Sequence, residues 1–444
     1  MNFNLVFLIN KYSSVVKATC CMSLLGAALL FNASVSANKL NIPAVTNKTY
    51  SLSELLSAVI KNNPAMHGKQ SEIEEKEHLK DSVKASRYPS ASFKTGYVNS
   101  NYDDVNTEEA ILNLEIKQPL WAFGRIDNNI AYAEMDVVVG KADLIRISRE
   151  LLDQTVVAFT ELESMKQQQA ILVKSVADLQ RLSEQIQRRY EGRVASKADV
   201  DLAFLRLIQA RTQKNNMDGN VLLAMTELAA LTQLPVNDIA SLSIDLISLP
   251  HDDNDIVALA LSNSAEITHK VRLLNLAQAN TARERSSIMP TVYAQASKQI
   301  DDFSSSNGEQ IGITIEASFD GLGFAYVGAS KAAKSREFSS QEAIEVARTE
   351  VVRQVNSLIH SRKTQGDMVR VIDQSIGSFE TILASYIRQY EAGKKTWLDV
   401  LNIQREMTSA QLELVNVRTQ WYRTSLKLMV LVGALDVVNQ REYQ

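Results

Sequence analysis

The side chains that could support catalysis or metal binding are scattered along this 444-residue chain. None of its histidines has a partner at a metal-ligand spacing; they are His67, His78, His251, His269 and His360. The acidic pairs Asp252-Asp253 and Asp301-Asp302 fall in predicted loops, where solvated turns are more common than catalytic carboxylates. Because no nucleophile motif is present either, the sequence argues against an enzyme and predicts no cofactor and no metal.

Two other carboxylates, Asp199 and Asp399, have surroundings that repeat at a spacing of 200 residues. Tyr190-Glu191 precedes the first at the distance at which Tyr390-Glu391 precedes the second. An apolar heptad repeat follows each one and predicts a helix that supercoils along a narrow seam. The two seams comprise Val200, Ala203, Leu207, Ala210, Met217, Val221, Leu228 and Leu231, then Val400, Ile403, Met407, Ala410, Leu414, Val417, Trp421, Leu428 and Leu431. This duplication predicts a protein built of two equivalent halves.

The first 37 residues have the pattern of a cleaved export signal. An apolar run over 18–31 is too short to span a bilayer, and Val35-Ser36-Ala37 supplies the small residues of a cleavage site. Both cysteines, Cys20 and Cys21, lie inside this signal. The mature chain, which is predicted to begin at Asn38, therefore has neither disulfides nor thiolate metal sites.

Charge and hydropathy narrow the class of protein further. Removal of the two signal lysines takes the formal net charge from −4 to about −6, which argues against a nucleic-acid-binding protein. No later segment approaches a transmembrane helix. If the protein lies in a membrane, it must do so as a β-barrel, because only helices and closed barrels satisfy every backbone group in lipid.

Each half is predicted to run in the order helix, strand, strand, long helix, long helix. Ser51 and Glu54 fit a capping box at the first helix. The first half, 38–250, is predicted to begin with a helix over 51–86, a strand over 93–99 and an alternating strand around 112–117 that Pro119 closes. A long helix from Gly124 to Arg189 and another that ends at Leu234 are predicted to follow. The second half, 251–444, is predicted to hold a helix over 256–286, strands over 291–299 and 311–319, and two long helices that follow Gly321 and Gly323 and turn at Gly393.

The predicted lengths of the strands and long helices suit a conduit that crosses an outer membrane and the periplasm. Strands of about ten residues with alternating faces can cross an outer membrane, but four strands cannot close a barrel that needs about eight. The strands must therefore pair with those of other chains. Helices over 125–189 and 324–389 would each be about 95 Å long. Two alternatives stay open at this point, a soluble helical protein with two ordinary hairpins and a periplasmic coiled-coil adaptor or scaffold protein.

Several motifs along the mature chain resemble the TolC family of outer-membrane efflux and secretion channels. They are Asn62-Asn63-Pro64, Tyr88-Pro89-Ser90, Gln118-Pro119-Leu120-Trp121-Ala122-Phe123-Gly124-Arg125 and its degenerate echo Ser318-Phe319-Asp320-Gly321-Leu322-Gly323. The resemblance implies a mainly α-helical trimer with a twelve-stranded outer-membrane barrel continuous with a periplasmic helical tunnel. It also implies a periplasmic adaptor and an inner-membrane transporter as partners, and no catalysis.

The resemblance also implies a gate at the periplasmic helix turns. Asp199 and Asp399 match acidic positions there, Tyr390 matches a gating tyrosine, and Lys395 and Asn402 stand where a family member has arginine and aspartate. An aperture ring would then carry one carboxylate per chain, from Asp399, and Lys395 opposite Asp199 would help to close the tip. The simpler interpretation is that both aspartates are favourable charges in the first turn of a helix.

Two further sets of residues follow from the same resemblance. The adaptor-docking tips would comprise Gly192, Arg193, Val194, Gly393, Lys394 and Trp397, although Gly192 stands one position early and Trp397 could instead pack between helices. The barrel-to-helix turns would comprise Pro119, Trp121, Gly124, Gly321 and Gly323. The turn and tip sequences are slightly more similar to those of members paired with type I adhesin exporters. Drug efflux and protein secretion both remain candidate roles, because the inner-membrane partner selects the cargo.

Overall fold

The computed structural model describes residues 48–102, 105–242, 249–301 and 308–436. The predicted export signal, residues 1–37, lies outside the described residues. Asp302 of the second acidic pair does too. Within the described part of the chain, no helix is both long enough and apolar enough to cross a bilayer.

Both halves follow the predicted order of elements. The first half contains β1 (Thr49–Tyr50), α1 (Leu52–Asn62), α2 (Pro64–Lys84), β2 (Ser90–Tyr102), β3 (Val105–Trp121), α3 (Arg125–Glu191), α4 (Lys197–Thr232) and β4 (Asp238–Ile239). The second half contains α5 (Asp253–Asn263), α6 (Ala265–Ser286), β5 (Thr291–Asp301), β6 (Gly308–Glu316), α7 (Phe324–Glu391) and α8 (Trp397–Leu431). Short 3₁₀ turns at Ala85–Arg87 and Asp320–Gly323 lead into β2 and α7.

The single helix that was predicted at the start of each half is in fact two helices. Ser51 and Glu54 form the predicted capping box of α1, but the helix ends because Pro64 forces the preceding Asn63 into an extended conformation. Ser264 has a similar backbone conformation in the second half and caps α6 through the amide of Ile267. The break is therefore a shared feature of both halves.

The long helices bury the predicted seams. Helices α3 and α7 contain 67 and 68 residues, so each is about 100 Å long. Among the seam residues, the fully buried ones include Ala203, Leu207, Ala210, Val221, Leu228, Val400, Met407, Val417 and Leu428. Helix α3 packs against α4 and α8, and α8 packs against α7, which gives the lateral order α4–α3–α8–α7. Helices α4 and α7 therefore form the two open flanks of the helical layer.

The four long strands form one antiparallel sheet in the order β2–β3–β5–β6, so the two hairpins join through β3 and β5. Strand β3 passes Pro119 and ends at Trp121, with an irregularity between these two residues; the prediction that Pro119 closes the strand was wrong. Strand β6 ends earlier than predicted, at Glu316, because the chain turns into the 3₁₀ segment that contains Gly321 at φ 56°.

Equivalent contacts tie the short helices to the long ones in each half. The side-chain amide of Asn62 donates to the carbonyl of Thr232 at 3.4 Å, and that of Asn263 donates to the carbonyl of Val432 at 3.0 Å. Both acceptors lie at the C-terminal end of the last long helix, where carbonyls lack helical partners. An asparagine at the end of the first helix in each half therefore makes the same contact with the end of the last long helix.

Candidate functional site

The two helix turns farthest from the sheet have the same backbone hydrogen bonds, shifted by 200 residues. At the first tip, the amides of Gly192, Arg193 and Val194 donate to the carbonyls of Arg188, Tyr190 and Arg189, respectively. At the second tip, the amides of Ala392, Gly393 and Lys394 donate to the carbonyls of Arg388, Tyr390 and Gln389, respectively. The two turns are therefore closed by one hydrogen-bond pattern.

The residue with a left-handed backbone conformation has the same position in both turns but differs in type. Gly393 has φ 71°, as expected of a glycine that ends a helix. At the first tip this conformation belongs to Arg193, with φ 61°, whereas Gly192 has φ −73°. Gly192 therefore does not supply the left-handed residue of the first tip, and the strain of that conformation falls on a residue with a side chain.

Asp199 and Asp399, the two aspartates of the predicted gate, each serve as the third residue of a capping box. The Asp199 carboxylate accepts from the Ser196 amide at 3.2 Å and hydroxyl at 2.8 Å. The Asp399 carboxylate accepts from the Thr396 amide at 3.0 Å and hydroxyl at 2.8 Å. These Thr396 hydrogen bonds hold the pKa of Asp399 below its ordinary value. The geometry favours the simpler interpretation, in which both aspartates stabilise a helix N-terminus.

An aromatic cluster joins the two hairpins at the second tip. The rings of Tyr390 and Trp397 lie 5.1 Å apart between centroids, and the guanidinium of Arg189 lies 4.7 Å from the Tyr390 centroid. Burial raises the pKa of Tyr390. Trp397 is only 2% exposed and packs in one apolar cluster with Ile186 and Ala203 of the first hairpin. Trp397 therefore packs between helices, which is one of the two positions that the sequence left open.

Lys395 and Asn402 lie in partly covered positions near this cluster. The Lys395 ammonium lies 4.4 Å from the centroid of Tyr386, one helical turn before Tyr390. Among the described residues of this single chain, the Lys395 ammonium faces Tyr386 and forms no ion pair with Asp199, so the closing contact stays a prediction. Within the chain, Tyr386 presents an aromatic face to the ammonium, and the Asp199 carboxylate accepts a hydrogen bond from the Ser196 hydroxyl.

The outer surface of the tips is formed by the remaining predicted docking residues. Gly192, Arg193, Val194, Gly393 and Lys394 are exposed, and Val194 is 68% exposed. Arg189 was missed by the sequence analysis, because nothing in the α3 pattern shows that this position faces an aromatic ring of the other hairpin.

The junctions between the sheet and the long helices also match each other. Gly124 at φ 84° and Gly323 at φ 90° are the residues immediately before α3 and α7. Each follows a second left-handed residue, Phe123 at φ 48° and Leu322 at φ 56°. The two motifs, whose sequences are only partly similar, therefore share the same backbone conformation before the long helix.

Apolar side chains surround these junctions at the surface. Trp121 and Phe123 pack edge to face with centroids 6.1 Å apart, and both are exposed. Leu322 and Phe324 are exposed at 93% and 80%. Within the described residues, no group of three or more acidic, histidine or cysteine side chains could hold a metal ion.

The fold and these turns define a duplicated protein in which a four-stranded sheet continues into paired long helices. A family model described as outer membrane efflux protein matches the chain twice, over residues 55–232 and 256–434. The chain therefore belongs to the outer membrane efflux protein family. The double match confirms the predicted duplication. The family places this protein in the outer membrane as a channel component, and its fold is that of channel proteins.

Individual relatives agree with this assignment. Outer membrane efflux protein BepC of Brucella suis biovar 1 is 23% identical over 431 residues, which cover 94% of this chain and 91% of BepC. Alkaline protease secretion protein AprF of Pseudomonas aeruginosa is 22% identical over 350 residues, which cover 75% of this chain and 72% of AprF. The solved structure of CusC, described in terms of transmembrane channel formation, has a TM-score of 0.76 at 15% identity, covering 86% of this chain and 91% of CusC.

Proposed function

We propose that this protein is the homotrimeric outer-membrane conduit of a three-part export system. In that system it receives cargo from an inner-membrane transporter through a periplasmic adaptor and releases it outside the cell. The observation that carries the proposal is that both layers of the chain are open on both sides. The sheet ends on β2 and β6, and the helical layer ends on α4 and α7.

Open strand edges in lipid would leave unsatisfied backbone groups, each costing several kcal/mol. Three copies of the four-stranded sheet supply twelve strands, and β6 of one copy would pair with β2 of the next. This head-to-tail contact closes into a ring when the rotation between copies is one third of a turn. A closed twelve-stranded barrel lies within the range of known outer-membrane barrels.

The surfaces of the sheet and of the flanking helices support the same assembly. One face of the sheet exposes Ile311, Ile313 and Ile315 at 89%, 71% and 71%, as expected of side chains that contact lipid. The flanking helices also expose large apolar side chains, which a neighbouring copy would cover; they include Phe204, Leu205, Ile208, Leu222 and Leu223 of α4 and Val346, Met368 and Val371 of α7.

The helix tips are the proposed periplasmic entrance. In a trimer, three copies of Asp399 and Tyr390 would approach the axis, with Asp199, Lys395 and Asn402 nearby. The exposed tip residues, which are Gly192, Arg193, Val194, Gly393 and Lys394, would contact the adaptor. Because Trp397 holds the two hairpins of one chain together, each tip would move as a unit when the entrance widens.

Small toxic compounds are the proposed main cargo, since the similarity to BepC extends along nearly the whole chain. The shorter similarity to AprF makes protein secretion the second candidate. Deletion of the gene separates the two. Drug hypersensitivity with normal export of surface proteins supports efflux, whereas loss of a secreted protein with unchanged drug tolerance supports secretion.

The assembly is tested by the native mass of the unboiled protein, solubilised in detergent from separated membranes. We expect a complex of three mature chains in the outer-membrane fraction, which dissociates on boiling. A monomer in the soluble periplasmic fraction would overturn the proposal.

A further inference from the structure

A network of polar side chains crosses three strands on the face of the sheet opposite the exposed isoleucines. The Lys117 ammonium contacts the Glu316 carboxylate at 2.5 Å and the Glu115 carboxylate at 3.5 Å. The Gln295 amide donates to Glu115 at 2.6 Å, and the Thr314 hydroxyl donates to Gln295 at 3.2 Å. These five residues, here called the pore-wall network, link β3, β5 and β6.

The strand register assigns this network to one face. Lys117 pairs with Gln295, and Gln295 pairs with Gly312, so their neighbours Ile116, Ala296 and Ile311 point to the opposite side. The Lys117 and Glu115 side chains are only 25% and 18% exposed, whereas Ile311 is 89% exposed. Polar side chains that cover one another on the inside of a curved sheet explain this difference.

Charges within the network compensate one another. Lys117 stands between two carboxylates, and a second cation is close, since the Arg125 guanidinium donates to the Tyr293 hydroxyl at 3.4 Å. The Tyr293 ring lies on the same face, with its centroid 5.8 Å from the Lys117 ammonium. With Arg125 included, the network has two positive and two negative groups per chain. Lys94, which pairs with Asn113 in the register, adds a further positive group to the same face.

We propose that the pore-wall network is a charge-compensated belt around the channel lumen and that Lys117 determines its ion selectivity. The inference rests on the proposed trimeric channel, in which the polar face lines the pore. A wall lined by one sign of charge concentrates counter-ions and repels ions of its own sign. Lys117 offsets the Glu115 and Glu316 carboxylates, so that this part of the wall does not become an anionic surface that repels anionic cargo.

The sheet contains a matched control for Lys117. Lys298 and Glu309 form another lysine–glutamate pair between neighbouring strands, at 2.7 Å. Lys298 pairs with Leu114 in the register, so this second ion pair lies on the apolar face, away from the lumen. Substitution of either lysine by glutamine removes the same charge from the same sheet, but only Lys117→Gln changes the charge of the pore wall.

The test is the reversal potential of the full-length protein in planar lipid bilayers under a KCl gradient, at no more than about 0.1 M salt to limit screening. We expect Lys117→Gln to raise the ratio of K⁺ to Cl⁻ permeability by roughly threefold or more. Lys298→Gln should leave the ratio unchanged, and Lys117→Arg should preserve it. All variants share the same helix tips, so a difference between them is attributable to the network.

Equal ratios for Lys117→Gln, Lys298→Gln and the unmodified protein would overturn the inference while leaving the channel intact. Absence of conductance in the unmodified protein would instead overturn the proposed function. If Lys117→Gln yields no channels, Glu316→Gln decides, since it leaves positive charge in excess and should shift the ratio toward Cl⁻. An unchanged ratio in Glu316→Gln would then count against the inference.

Discussion

The two helix tips share a backbone but are stabilised by different side chains. Both have the same turn hydrogen bonds and a capping box, at Ser196–Asp199 and Thr396–Asp399. At the first tip the left-handed residue is Arg193 and Lys197 is exposed, whereas the second has Gly393 and the buried Trp397. The two halves therefore share the backbone geometry of the turn. The packing between the two hairpins depends mainly on Trp397 of the second half.

We expect the largest difference in stability between the two tips at Trp397. Replacing a fully buried large aromatic residue by alanine typically costs about 3–5 kcal/mol, so Trp397→Ala should lower the local free energy of opening at both tips by a comparable amount. Lys197→Ala, at the equivalent exposed position, should change it by less than about 0.5 kcal/mol. Hydrogen exchange of the amides around Ile186 and Leu401 measures the difference.

Trp397→Phe serves as the control for this prediction. The indole N–H is buried and makes no hydrogen bond to the described residues, so phenylalanine keeps most of the apolar contact without an unsatisfied donor. We expect a much smaller loss of protection than for Trp397→Ala. Equal losses in Trp397→Ala and Lys197→Ala would show that the second tip is not the anchor.

Exchanging the residues at the two left-handed positions should change the stability of the two turns in opposite directions. Gly393→Arg forces a side chain into φ 71° and should cost about 1–2 kcal/mol, although open space surrounds this position. Arg193→Gly relieves the equivalent strain and should stabilise the first turn by up to about 1 kcal/mol. Exchange rates of the turn amides, compared with those of a mid-helix segment in the same variants, report both effects. Changes of the same sign would contradict the assigned backbone conformations.

The capping boxes should respond almost equally, because their geometry is the same. Ser196→Ala and Thr396→Ala should each cost about 1 kcal/mol at the start of α4 and α8. Their effects should also be additive, because the two boxes share no hydrogen-bond partner. Exchange of the first-turn amides in the single and double variants provides the measurement, and strong coupling would indicate a contact between the boxes that the structure lacks.

Acid should weaken the second capping box through Asp399. The folded-state pKa of this carboxyl is lowered from 3.8 by the Thr396 hydrogen bonds, so its contribution is complete above pH 3.8 and is lost as the pH falls through the lowered value. Amide exchange at the start of α8, corrected for the intrinsic rate, should therefore accelerate in that acidic range. Asp399→Asn should abolish this acid dependence, and an unchanged profile in that variant would assign the effect to another group.

The sequence by itself determined the local features of this protein. Heptad spacing identified the seams, and the repeated motifs identified the duplication and the turns before α3 and α7. The capping box at Ser51 was also predicted correctly. All of these depend on residues close together in the chain, where backbone sterics and helical periodicity act directly. The boundary between halves at residue 250, the gate and the docking surface stay predictions.

Only the tertiary structure decided which side chains meet. Trp397 and Arg189 occupy helix surfaces whose local pattern is the same whether another helix covers them or water does. Their environments depend on the order α4–α3–α8–α7, which brings residues about 200 apart in the chain into contact. The side-chain contacts of the pore-wall network likewise depend on the pairing of β3 with β5, which brings together strands from different halves. Such contacts arise from the packing of distant segments, and a local pattern contains no information about the partner.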